Sequence, residues 1–148
     1  MIKNLIAPVF SLLILVTLSA CNSDSNLEQK RLNQALSKWQ SYDLESYQIT
    51  SRVSCFCANT DEVRLIVENG EIQEAYYTDS GDYLTATELN YQKTVEEHFN
   101  LIQTAILGDV AQLRIEYDET YGYPTVISVD YDEQVADDEF VYYLSNLQ

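Results

Sequence analysis

VRLIVENGEIQEAYY, residues 63–77, decides how this chain folds. Val63, Leu65 and Val67 alternate with Arg64, Ile66 and Glu68, the two-residue period of a strand with one buried face. Asn69-Gly70 follows, the pair that suits a type I′ turn, where both central residues take positive φ. A second run returns at once, so residues 61–77 predict an antiparallel hairpin. A two-residue turn sets Val67 opposite Ile72 and Val63 opposite Tyr76. It also sets Glu74 opposite Leu65, on the apolar face, so either the return strand bulges there or that face is partly exposed.

Upstream, Tyr47, Ile49, Val53, Cys55 and Cys57 share parity and predict a strand over 46–57. Before it, Leu32, Ala35, Leu36 and Trp39 recur at helical spacing, predicting a helix over 27–40 with Trp39 as a core anchor. Downstream, residues 78–91 carry the turn residues of a loop. Thr94-Val95-Glu96-Glu97 is a capping box, with Val95, Phe99, Ile102 and Ile106 as the stripe and Gly108 as the stop. On that helix His98 reads as a boundary or surface histidine beside Phe99. Three strands finish the chain: one on Leu113, Ile115 and Tyr117, one over 123–129, and one on Phe140, Tyr142 and Leu144. The fold class is therefore α+β, an antiparallel sheet with two helices packed on one face, in the order α-β-β-β-α-β-β-β.

The N-terminus addresses location. Lys3 precedes an apolar run from Leu5 to Leu18, too short to span a bilayer. Leu18-Ser19-Ala20-Cys21 resembles the lipobox of bacterial lipoproteins. The resemblance implies cleavage before Cys21 and acylation of its thiol and new amino group; chains together on one residue give durable anchoring. The expected organisation is a signal peptide over 1–20, a lipidated cysteine with a polar tether over 21–26, and one α+β domain over 27–148. Asn22 replaces the aspartate of inner-membrane retention, which points to the outer membrane, facing the periplasm, in a Gram-negative source.

The chain of 148 residues has a net charge of −16. Loss of residues 1–20 removes Lys3 and leaves −17. That charge argues against nucleic-acid partners. The expected partners are the membrane, through lipid at Cys21, and an envelope protein or small ligand. Twelve tyrosines fit half-buried strand surfaces and interfaces; Tyr42, Tyr76, Tyr77, Tyr121 and Tyr123 are the candidate contact residues.

Several short motifs occur in fixed order: Ser54-Cys55-Phe56-Cys57, Val67-Glu68-Asn69-Gly70, Asp118-x-x-x-Gly122-Tyr123-Pro124-Thr125, Asp130-Tyr131 and Asp137-Asp138-Glu139. The pattern resembles the bacterial domain of unknown function 6174, over roughly residues 39–144. The resemblance implies one secreted domain and brings no activity, cofactor or catalytic residue.

Cys55 and Cys57 are the one constellation with chemistry of its own. An oxidising compartment and an even pair favour a local disulfide. Two residues apart in a strand sets Cα atoms ~6.6 Å from each other, so bonding requires a bend at Phe56. Reduced buried thiols, or a thiol redox or metal-handling site, are the alternatives. No cofactor and no metal are expected: two thiolates do not close a structural zinc site. The acidic residues over 130–139 lack the spacing of a calcium loop. No catalytic residue is assigned; the sequence contains no Gly-x-Ser-x-Gly, His-Glu-x-x-His or phosphate-binding loop. The leading expectation is a non-enzymatic binding or interaction module anchored in the envelope. Thiol redox or metal handling by Cys55 and Cys57 is the alternative.

Overall fold

The structure is a computed structural model that describes residues 22–57, 60–108, 110–135 and 137–148. Residues 1–20, expected to be a signal peptide, and Cys21 lie outside them. Helix α1 (Asn22–Gln40) leads into strands β1 (Tyr47–Cys55), β2 (Val63–Glu68) and β3 (Glu71–Tyr77). A single turn, α2 (Ala86–Leu89), and a longer helix, α3 (Val95–Leu107), follow. Strands β4 (Gln112–Tyr117), β5 (Pro124–Asp130) and β6 (Phe140–Ser145) close the fold.

All six strands form one antiparallel sheet in the order β3-β2-β1-β6-β5-β4. Two meanders thus meet at the centre, where β1 lies beside β6. The α+β expectation stands, with two differences at its edges. The segment over 78–91 is not all loop: Thr85 and Glu88 form a capping box that starts α2. The expected tether over 22–26 is the first part of α1. A helix rises only ~1.5 Å per residue, so that stretch is short and stiff.

The Asn69-Gly70 turn forms as its residues require, with φ of 53° and 75°. A β-bulge then skips Gln73, so Val67 faces Ile72 but Ile66 faces Glu74 and Leu65 faces Ala75. The extra residue turns Glu74 away from the apolar face and brings Tyr77, not Tyr76, opposite Val63. An acid opposite Leu65, which is fully buried, would have been costly.

Ile49, Leu65, Ile127 and Leu144 line the covered face of the sheet, none more than 2% exposed. From α3, Val95, His98, Phe99, Ile102 and Ala105 fill the layer above. Leu32, Ala35 and Trp39 of α1 join the same core. His98 is fully buried, against the expectation of a boundary site. Its position is three residues after Val95 and four before Ile102, inside the stripe itself.

Both outer strands are partly covered. Residues 78–84 fold back on β3, with Leu84 N–H donating to Ala75 O over 2.9 Å and Tyr76 bridged to Tyr83. Across the sheet, Arg31 of α1 donates to Ile115 O of β4 over 3.0 Å. Such contacts occupy backbone groups that would otherwise recruit another strand. Among the described residues no helix is long and apolar enough to cross a membrane.

Candidate functional site

At the far end of β1 the strand stops at Cys55, and the chain bends through Phe56 and Cys57. The bend brings the Cα atoms of Cys55 and Cys57 to 5.2 Å and their sulfurs within disulfide distance. An extended strand would not allow this. Phe56 is left 82% exposed.

The cysteines border a cavity of about 480 Å³, within the range of small-molecule sites. Its floor is the covered face of the sheet: Ser51 and Val53 of β1, Val63 of β2, Tyr77 of β3 and Tyr142 of β6. Its other side comes from Glu88 of α2 and from Tyr91, Gln92 and Lys93, the link between α2 and α3. Asp61 lies at the border, just before β2.

The polar groups differ in how far they are already engaged. Glu88 accepts from Thr85 N–H over 2.8 Å, Thr85 Oγ1 over 2.7 Å and Tyr77 Oη over 2.9 Å. These donors hold its carboxyl below the usual range, and the Tyr77 hydroxyl rises in response to the adjacent carboxylate. Arg52 borders the cavity, yet its guanidinium lies 4.4 Å from the Tyr143 centroid on the other face of the sheet. Lys93 is half-buried and has neither a hydrogen bond nor an ion pair among the described residues.

Behind Tyr142 stands His98. Its Nδ1 lies 2.8 Å from Thr94 O, a carbonyl that can only accept, so Nδ1 carries the proton. Nε2 is then a buried acceptor without a partner among the described residues. Burial, and then the charge of Lys93, pushes the imidazole down to about 4, with the Thr94 carbonyl opposing.

The five candidate tyrosines do not converge. Tyr77 alone lines the cavity. Tyr76 packs against Tyr83, with centroids 6.1 Å apart. Tyr42 and Tyr121 pair at the opposite end of the molecule's loops, 4.8 Å between centroids, and Tyr42 Oη donates to Thr120 O. Tyr123 is only 5% exposed and sits edge-on to Trp39, which makes it core. Tyr91, Lys93 and Tyr142 were not singled out by sequence. The one available signal was a basic residue directly ahead of the Thr94 capping box, in a chain rich in acids.

The Asp118 motif has a structural purpose. Asp118 Oδ1 accepts from Thr120 N–H and Tyr121 N–H, and Gly122 N–H donates to Asp118 O. The loop so formed docks on α1. At the acidic turn, desolvation and then Asp138, Glu139 and Glu133 raise the Asp130 carboxyl. No group of three or more His, Cys, Asp or Glu placed to hold a metal occurs among the described residues.

The chain belongs to a family of unknown function, DUF6174, whose profile matches residues 31–148. No curated protein and no solved structure matches the chain.

Proposed function

We propose that the protein is a lipid-anchored module of the cell envelope that acts by binding, through the cavity beside Cys55 and Cys57. The observation that carries the binding role is the cavity itself. Strands β1, β2, β3 and β6 and the α2–α3 link build one concave, largely apolar and aromatic recess with a few polar groups. That composition is typical of ligand pockets. The lipobox-like Leu18-Ser19-Ala20-Cys21 supports the anchor, with residues 1–20 as signal peptide and the rest of the chain as one domain. In a Gram-negative source the same segment favours the periplasmic side of the outer membrane.

Intact mass measurement of protein from its host tests the anchor. The expected product starts at Cys21 and carries two or three acyl chains; an unmodified Met1 or a bare Cys21 thiol refutes the placement. A fragment screen by ligand-observed NMR tests the recess. Hits that are lost when Val63→Trp fills it support the reading, and an empty screen opposes it.

The second reading, a thiol redox protein, rests on the accessibility of the pair, since Cys57 is exposed and both cysteines border the recess. Accessible disulfides are often the labile ones. A pair that resists mild dithiol reductant removes that reading and leaves the first intact.

A further inference from the structure

We infer that the cavity takes a singly charged carboxylate attached to an apolar or aromatic body, with Lys93 as its counter-ion. This rests on the cavity being the binding site.

The argument starts from charge. The chain carries 24 acidic residues against eight basic ones, yet Lys93 has no carboxylate within ion-pair distance among the described residues. It lines the cavity and is half-buried. Tyr142, another lining residue, packs edge-on against the fully buried His98, so the recess reaches down to the core beneath α3. A lysine at the wall of a recess gains more from an anion bound inside it, where bulk water is partly excluded, than from one in open solvent.

The other charges around the cavity do not supply that anion. Glu88 spends its oxygens on Thr85 and Tyr77. Asp61 is exposed and makes no ion pair. The Arg52 guanidinium is engaged with Tyr143 on the far face, so it does not compete for the ligand.

The same acidity limits the ligand. At physiological ionic strength charges are screened over about 8 Å, so Asp61 and Glu88 are the near neighbours that count. They oppose a phosphate dianion about twice as strongly as a carboxylate. The body of the ligand faces Val53, Val63 and the tyrosine rings, surfaces that favour hydrocarbon or an aromatic ring.

Three closely matched probes test this on the full, host-processed protein: 4-phenylbutyrate, 4-phenylbutanol and 4-phenylbutylamine, with 3-phenylpropyl phosphate as a dianion on the same body. Dissociation constants come from calorimetry. The butyrate should bind about ten-fold tighter than the alcohol, amine and phosphate, the effect of one charge-assisted contact. Lys93→Met should erase that margin without weakening the alcohol, and Lys93→Arg should keep it. Equal binding of the probes, a preference for the amine or phosphate, or an unchanged margin in Lys93→Met overturns the carboxylate inference alone. Binding by none of the four overturns the cavity reading and this inference together.

Discussion

The imidazole of His98 meets the ring of Tyr142 edge-on, with centroids 4.9 Å apart and planes at 80°. The histidine is sealed behind a wall of the cavity, so its protonation is a matter of folding. Above pH 6.5 it is neutral in both the folded and the unfolded chain. Below 6.5 the unfolded chain takes up a proton that the folded one refuses until about 4. Stability therefore falls across that window and levels off beneath it, by at most about 3 kcal/mol from this group. Urea titrations from pH 7.5 to 4 should show a shallower loss in His98→Phe than in the parent. Identical slopes would mean that the imidazole is not buried neutral.

Glu96 joins three elements. It accepts from Trp39 Nε1 over 2.8 Å and from Tyr47 Oη over 3.0 Å, while Tyr47 Oη accepts from Val95 N–H over 2.9 Å. Burial, and then the Glu96 charge, pushes the Tyr47 hydroxyl far above its usual range. Tyr47→Phe should cost about 1–3 kcal/mol, because it strands a buried N–H as well as removing a bond. The urea midpoint should fall with the slope unchanged.

Gly122 has φ of 85°, and a Cβ there would come within 2.6 Å of Ala35 O and 3.0 Å of Lys38 Cβ. Gly70 has φ of 75° with open space around it. Gly70→Ala should cost about 1–2 kcal/mol from backbone conformation alone. Gly122→Ala should cost clearly more, because α1 must also shift. Paired thermal melts check the order of the two.

The Cys55–Cys57 bond closes a loop with one residue between its ends, so it restricts the unfolded chain little. Cys55→Ser with Cys57→Ser should lower stability by about 1–2 kcal/mol and leave the far-ultraviolet circular dichroism unchanged. Unreduced protein, denatured and treated with iodoacetamide, should gain no label at these two positions and two labels after reduction. Two labels without reduction would show free thiols.

Much of this architecture could be read from local pattern. Alternation placed β1, β2, β4 and β6, and Asn69-Gly70 and Thr94-x-x-Glu97 marked a turn with its return strand and a helix start, because each depends on neighbours in sequence. His98 was misplaced because flanking and inward positions differ by a fraction of a helical turn, and only α3's neighbours decide between them. The bulge at Gln73 was legible as a conflict over Glu74 but not as its solution. The cavity was not legible. Its walls come from residues spread between Ser51 and Tyr142, and no short motif records that meeting. Tyr123 looked like a contact residue beside Gly122 and Pro124, yet that motif fastens a loop to α1.

The middle of the sheet pairs β1 with β6, Thr50 opposite Ser145. A chain emerging from the ribosome N-terminus first can form β1-β2-β3 early, but β4 and β5 cannot join them until β6, the last strand, is out. The order β3-β2-β1-β6-β5-β4 thus delays closure to the end of synthesis. Truncation before β6 would leave the three strands β3-β2-β1 and the two strands β5-β4 unjoined, with β1 and β5 each lacking a neighbour.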